Sequence, residues 1–154
     1  VIARNTSRRN FRIYKYDGYF ANIGSLADYY SHSMELLGTP ENRDEIFGIK
    51  TRPIYTKVRN SAPTRYAESS VVKNSLVADG CIIDGTVENS IIFRGVKISR
   101  GATVKNSILF QDTVIGENVF LNCVITDKNV VIRDGRILSG HETLPFFVEK
   151  NRLV

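Results

Sequence analysis

The run VKNSLVADGCIIDG at residues 72–85 recurs as VENSIIFRGVKISRG at 87–101, VKNSILFQDTVIGEN at 104–118 and LNCVITDKNVVIRDG at 121–135. The starting residues advance by 15, 17 and 17. Such a period marks units that stack on one another and cannot bury an apolar face alone. The aliphatic residues of the copies fall into three columns. One is Val72, Val87, Val104 and Leu121; a second is Val77, Ile92, Leu109 and Ile125; a third is Ile83, Ile98, Ile115 and Ile132. Two residues ahead of the second and third columns stand Ser75, Ser90, Ser107 and Cys123, and Cys81, Val96, Thr113 and Val130. Residues i and i−2 of a strand share a face, so each short side sends one large and one smaller group inward. An amphipathic helix is excluded, because its apolar stripe would recur at i, i+3, i+4 and i+7.

Between the sides lie turn residues that tolerate left-handed backbone angles: Asp79-Gly80, Asp84-Gly85, Arg94-Gly95, Gly116-Glu117-Asn118 and Asp134-Gly135. Three sides of five to six residues per turn predict a mainly β chain, a triangular parallel β-helix of about four coils with like residues roughly 4.8 Å apart. Parallel crossovers are right-handed in nearly all other folds. These columns, however, resemble the hexapeptide repeats of left-handed β-helix proteins, and that resemblance implies the left-handed form.

At 154 residues the chain has room for a compact solenoid and an accessory piece. It holds no apolar run long enough to span a membrane and no secretory signal, so no membrane partner is expected. The opening VIARNTSRRNFRIYKYDGYF starts without Met and reads as the interior of something longer, so the chain is expected to be a fragment. Cys81 and Cys123 fall on different columns, three coils apart. At roughly 4.8 Å per coil they exceed the ~7 Å Cα limit of a disulfide. Both are expected to be reduced core thiols replacing Ser or Val, which fits a cytoplasmic protein.

The formal charge is +5, with Arg4, Arg8, Arg9, Arg12 and Lys15 crowded at the start. This cluster has two readings: a contact for phosphate or an acidic effector, through Arg8, Arg9 and Arg12, or a solvated flank. Arg94, Lys97 and Arg100 on the second coil are a further candidate set, or ordinary charge alternating with inward aliphatics. No nucleic-acid partner is expected, since no aromatic side chains are interleaved with these bases as stacking platforms.

Ahead of the coils, Phe11–Tyr16 and Tyr19–Ile23 flank Asp17-Gly18, a hairpin signal. A helix follows, with Ser25 as N-cap and Asp28 as capping-box acid. Its inner face is Leu26, Tyr29, Tyr30, Ser33, Leu36 and Leu37, and Gly38 with Pro40 stops it. Thr39-Pro40 opens a second short helix through about Phe47. Residues 48–66 read as an extended linker with Pro53 and Pro63, and PIYTKVRNSAPTRY as a source of one strand along the first coil.

The order DGYFANIGSLADYYSHSMELL, then PIYT, then SSVVKNSLVADGCIIDG and GENVFLNCVITDKNVVIRDG resembles bacterial glucose-1-phosphate adenylyltransferase (ADP-glucose pyrophosphorylase), from about Phe11 to Val148. That family joins a nucleotidyltransferase domain to a left-handed β-helix and makes ADP-glucose from ATP and glucose 1-phosphate with magnesium. The resemblance implies that residues 1–50 end the nucleotidyltransferase domain, 51–66 form a linker, and 67–154 form the β-helix with its tail. Catalytic members carry an Asp in GYW-x-D-V-G-T, thought to help hold magnesium, and here Asn22 stands in its place. An amide offers one weak oxygen where magnesium prefers a carboxylate. The alternative is a strand-end Asn that bonds only to backbone. The departure, with the divergent tail SGHETLPFFVEKNRLV, implies a regulatory GlgD-type subunit. Other adenylyltransferase subunits are then its partners, in a homo- or hetero-oligomer, expected to be a tetramer.

No catalytic, substrate-binding or metal-binding residue and no cofactor of its own is expected in the chain. The family's phosphate-binding loop and its acids are not part of this sequence. The chain alone is expected neither to bind ATP nor to turn over. The catalytic subunit of the same family, with Asn22 as tolerated variation, is the nearest alternative. Left-handed β-helices also build acyltransferases that use a coil His as base, and zinc enzymes that need three His. The only histidines are His32, on the first helix, and His141, past the last coil, so an acyltransferase is a more distant alternative.

Overall fold

The three aliphatic columns close a prism, and the backbone follows them. The computed structural model describes residues 2–5, 7–48, 53–56 and 58–154. Fifteen strands of two or three residues build three parallel five-stranded sheets. Sheet A holds β1 (Arg65–Tyr66), β4 (Ile82–Ile83), β7 (Lys97–Ile98), β10 (Val114–Ile115) and β13 (Val131–Ile132). Sheet B holds β2 (Val71–Lys73), β5 (Thr86–Glu88), β8 (Thr103–Lys105), β11 (Phe120–Asn122) and β14 (Ile137–Ser139). Sheet C holds β3 (Leu76–Val77), β6 (Ile91–Ile92), β9 (Ile108–Leu109), β12 (Val124–Thr126) and β15 (Phe146–Val148). Each turn of chain contributes one strand to each sheet, giving a parallel β-solenoid of about four complete coils. The expected strand along the first coil is β1, paired on β4.

Two of the three columns run as the spacing predicts. Ile83, Ile98, Ile115 and Ile132 pair in register, as do Val72, Val87, Val104 and Leu121, and all but Val72 are buried. The second column differs in its fourth member. Ile125 pairs with Ile108, and Thr126 lies under Leu109. Cys123 holds a left-handed corner (φ 52°) like Asn74, Asn89 and Asn106 (φ 40°, 46° and 45°), so it takes the asparagine place and not the serine place. Val124 follows in the position of Ser107. Thr126 sits fully buried in the prism because its hydroxyl meets that of Thr113 at 3.2 Å. Cys81 is a buried core thiol as expected, whereas Cys123 packs outside the prism, and both are free.

The serine positions form a ladder. Each hydroxyl of Ser75, Ser90 and Ser107 donates to the carbonyl two residues back, at 2.6–2.7 Å. Each also accepts the N–H of Ser90, Ser107 or Val124 on the next coil, at 3.1–3.2 Å. The small residue therefore satisfies a buried corner amide that no strand reaches. Outside the same corner the amides of Asn74, Asn89, Asn106 and Asn122 stack, each Nδ2 donating to the next Oδ1 at 2.7–2.9 Å. Gly85 explains the 15-residue step. Its corner lacks the two extra residues of the later coils, and a Cβ there would lie 2.5 Å from the Ala102 carbonyl oxygen.

The segment expected to be a tail past the last coil forms most of a fifth coil. Leu138 stacks on Leu121, β15 lies on β12, and Leu153 bridges to Val131. His141 lies on a corner excursion closed by mutual backbone bonds with Leu144.

The predicted hairpin is absent: residues 10–24 contain no strand. Ile13 is 99% exposed and Tyr14 87%, so neither run finds an apolar face to cover, and a lone two-stranded hairpin is marginal in water. Both helices read from the sequence form, and a further single turn, α1 (Ile2–Asn5), precedes them. α2 (Leu26–Gly38) is capped by Ser25, whose hydroxyl accepts the Asp28 N–H, and Asp28 in turn accepts from Gly24. Of its expected inner face, Tyr30 and Leu37 are buried while Leu26 stays exposed. α3 (Pro40–Phe47) begins after Thr39, with Pro at its first position. The domain boundary expected at 50/51 lies outside the described residues.

Candidate functional site

Sheet C is apolar on both faces. Besides its inward column it carries an outward row, Leu76, Ile91, Ile108, Ile125 and Phe147, in unbroken register through all five strands. α2 lies against the middle of this row. Tyr30, Ile108, Cys123 and Ile125 form a buried cluster, with Tyr29, Met34, Ile91, Phe93 and Phe110 packed around it. The ring of Tyr29 meets Phe110 edge-on (6.0 Å, 75°), and Phe110 meets Phe93 at 4.8 Å. The Tyr30 hydroxyl donates to the Asn106 carbonyl at 2.6 Å. Burial, then the neighbouring Cys123 thiol, pushes the Tyr30 hydroxyl pKa well up, so it remains a donor.

The sequence carried a signal for this seam. Three copies have two adjacent aliphatics where a one-sided strand needs one, Leu76-Val77, Ile91-Ile92 and Ile108-Leu109, and the fourth has Ile125-Thr126 in their place. Parallel strands covered on both faces read as continuous apolar runs.

Beside the seam a cleft of about 240 Å³ opens between α2 and the asparagine corner, with Tyr30, Met34, Glu35, Asn106 and Glu142 in its lining. Glu35 accepts from the Tyr19 hydroxyl at 3.0 Å and meets His32 Nδ1 at 3.2 Å. Desolvation and this carboxylate raise the Tyr19 pKa. His32 is thus tied into the packing of the N-terminal part, and His141 contacts Thr143 at 2.9 Å on the exposed excursion. The structure places the two histidines on different elements, one on α2 and one on the fifth coil.

Arg8, Arg9 and Arg12 are all exposed, and the first two follow α1 with their N–H groups on the Asn5 carbonyl. Of the second-coil bases, Arg94 pairs with Asp79 (2.8 Å) and Arg100 with Asp84 (3.5 Å) across neighbouring coils. Lys97 is exposed on sheet A. Lys105 meets Glu88 at 2.9 Å, and that hydrogen bond and charge hold the Glu88 carboxyl below its usual range. Such partly exposed pairs are ordinary surface charge.

Asn22 is exposed in the irregular stretch before α2. Among the described residues, no three His, Cys, Asp or Glu side chains stand close enough together to hold a metal ion. A single amide oxygen does not fit magnesium, which takes carboxylates. No helix of the described residues is long and apolar enough to cross a membrane.

With this geometry in view, comparison with known proteins is decisive for the solenoid. The family described as GlmU-like, C-terminal hexapeptide matches residues 60–143, more than half of the chain. The chain belongs to the GlmU-like C-terminal hexapeptide family. The match to this hexapeptide family starts just before β1 and ends within the corner excursion of the fifth coil. Similarity extends further in individual relatives. The glycogen biosynthesis protein GlgD of Bacillus subtilis (strain 168) is 45% identical over 150 residues, covering 97% of this chain and 43% of its own length. GlgD of Geobacillus stearothermophilus is 51% identical over 74 residues, 47% of this chain and 20% of its own. The glucose-1-phosphate adenylyltransferase of Bacillus thuringiensis (strain Al Hakam) is 33% identical over 128 residues, 81% of this chain and 33% of its own. The chain spans less than half the length of these curated relatives.

Proposed function

We propose that the chain is the assembly and regulatory part of a glucose-1-phosphate adenylyltransferase-type subunit of the GlgD kind, serving the supply of ADP-glucose for glycogen in the cytoplasm. The observation that carries this reading is the reach of the GlgD similarity. It covers 97% of the chain, so it includes α2 and the exposed Asn22 as well as the coils. Asn22 brings no charge to the position where catalytic members use a carboxylate, which favours regulation over turnover. In this reading, residues 1–50 finish a nucleotidyltransferase domain, and α2 fixes that domain to the solenoid through the Tyr30–Asn106 bond. Companion adenylyltransferase subunits are the partners, in an oligomer expected to be a tetramer. Arg8, Arg9 and Arg12 are the proposed contacts for an acidic effector.

The similarity to the B. thuringiensis enzyme over 81% of the chain supports a second reading, the catalytic subunit itself. Pyrophosphate release from ATP and glucose 1-phosphate separates the two. The full-length subunit carrying this chain is expected to be nearly inactive alone and to raise the activity, or change the effector response, of a co-expressed catalytic companion. Robust turnover by the subunit alone would reject the regulatory reading in favour of the catalytic one.

A further inference from the structure

Three corners of the solenoid repeat one dipeptide. Asn74-Ser75, Asn89-Ser90 and Asn106-Ser107 stand at the same place on successive coils, each asparagine in the left-handed region (φ 40°, 46° and 45°). An asparagine followed by a small residue carries a reaction of its own. The backbone nitrogen of the serine, once deprotonated, attacks the side-chain carbonyl carbon of the asparagine. A C–N bond closes a five-membered succinimide, the Cγ–Nδ2 bond breaks, and ammonia leaves with the proton that the backbone nitrogen gave up. Water then opens the ring at either carbonyl, leaving aspartate or its β-linked isomer. The net change is amide plus water to acid plus ammonia, with no oxidation or reduction.

Alike in sequence and backbone, the three corners differ in what holds the attacking nitrogen. The Ser90 N–H is bonded to the Ser75 hydroxyl at 3.2 Å, and the Ser107 N–H to that of Ser90 at 3.1 Å. Both Ser90 and Ser107 are fully buried. A deprotonated nitrogen there would lose its hydrogen bond and carry charge away from water, a costly state to reach. Ser75 opens the ladder. No serine precedes it, and its N–H meets no acceptor among the described residues. Asn74 is exposed and Ser75 only partly buried, whereas Asn89 and Asn106 are themselves half-covered. Ring closure also requires the corner to swing the nitrogen onto Cγ. At Asn89 and Asn106 a coil on each side resists this, and their own N–H groups are bonded to the Lys73 and Glu88 carbonyls. Asn74 has a coil on one side, since β2 and β3 are end strands of their sheets, and the ends of a stack open most readily.

We propose that Asn74 is a deamidation site, where the chain converts its own amide to aspartate or isoaspartate, and that the serine ladder guards the same dipeptide at Asn89 and Asn106. The modification acts on the stack that Asn74 begins. Asn74 Nδ2 donates to Asn89 Oδ1 at 2.9 Å, the first bond of the asparagine row. An ionised carboxylate has no proton to give, so after conversion two oxygens face each other and the first coil loses its outer tie. The loosening falls on β2 and β3 and accumulates with the age of the molecule, with water as the only co-reactant. It is independent of whether the subunit is regulatory or catalytic.

Mass spectrometry of the 154-residue chain, aged in mildly alkaline buffer made with oxygen-18 water, tests the site. Trypsin cuts after Lys73 and Arg94, so Asn74 and Asn89 leave on one peptide and its fragment ions read both. Asn74 is expected to convert about tenfold or more faster than Asn89, equivalent to about 1.4 kcal/mol in the barrier, with one labelled oxygen taken up per event. Asn106, on the peptide after Lys105, is expected to lag in the same way. Asn60-Ser61, exposed and outside any element, supplies the unguarded rate for comparison. Ser75→Ala takes the acceptor from the Ser90 N–H and is expected to speed Asn89 about fivefold, the usual worth of one hydrogen bond. Asn74→Asp, which writes in the product, is expected to quicken hydrogen exchange in β2 and β3 while β9 to β12 stay as they were. Equal rates at Asn74 and Asn89 would overturn the proposal, as would an Asn74 that remains an amide while Asn60 reacts. An Asn89 rate untouched by Ser75→Ala would overturn the guarding role of the ladder. The wild-type comparison needs no variant to fold.

Discussion

Ser107 shows how one small side chain holds two coils together. Its hydroxyl donates to the Lys105 carbonyl and accepts the Val124 N–H, with no part of the residue exposed. Ser107→Ala would leave the Val124 N–H buried without its partner, while the Lys105 carbonyl keeps the Cys123 N–H; the loss is about 1–3 kcal/mol, so the denaturant midpoint is expected to fall with the slope unchanged. An unaltered midpoint would mean that a water replaces the hydroxyl. Thr126 teaches the opposite lesson about reading such sites. Its column reads aliphatic, and the eye takes Ile125, the neighbouring apolar residue. The hydroxyl of Thr113, on another side of the prism, and the Phe110 N–H make a threonine acceptable there, and no local pattern announces partners thirteen and sixteen residues away. Cys123 misleads for the same reason, because the left-handed corner that it shares with three asparagines is a backbone property hidden by its side chain.

Among the elements, α2 is the one whose docking was half legible. Its cap, its length and its stop follow from Ser25, Asp28, Gly38 and Pro40. The surface that receives it is written in doubled aliphatics, which fit a strand covered on both faces whatever element covers it. The hairpin failed for a complementary reason: Asp-Gly between two apolar runs specifies a turn, but strands last only where a neighbouring sheet covers them. The seam itself can be probed through Tyr30. Tyr30→Phe keeps the ring and removes the bond to Asn106, worth about 1 kcal/mol. Hydrogen exchange of the α2 amides is therefore expected to quicken about fivefold while that of sheets A and B stays as it was. Equal acceleration everywhere would show that the helix and the coils open together.

At the scale of the whole molecule, each coil touches only the coils before and after it, so stability accumulates by neighbours. The interior residues of coils two to four are buried, whereas Val72, Val77, Leu138 and Val154 at the two ends are partly exposed. Amide protection is expected to peak at β6 through β12 and to decline toward both ends, measured by native-state exchange. A flat profile would indicate a single all-or-none unit. The period made this architecture legible from the first repeat to the fourth, since like residues recur at 15 or 17. The fifth coil escaped because six residues of excursion break its spacing, although Leu138 and Val148 keep their columns.

That excursion has a further meaning. At the corner between β14 and β15 the chain leaves the wall, turns through His141 and Leu144, and rejoins β12 in step. Neighbouring rungs do not feel the detour. A corner that absorbs extra length without shifting the stack is a docking port for novelty, where a lineage can splice in a new recognition element while the scaffold beneath keeps its shape.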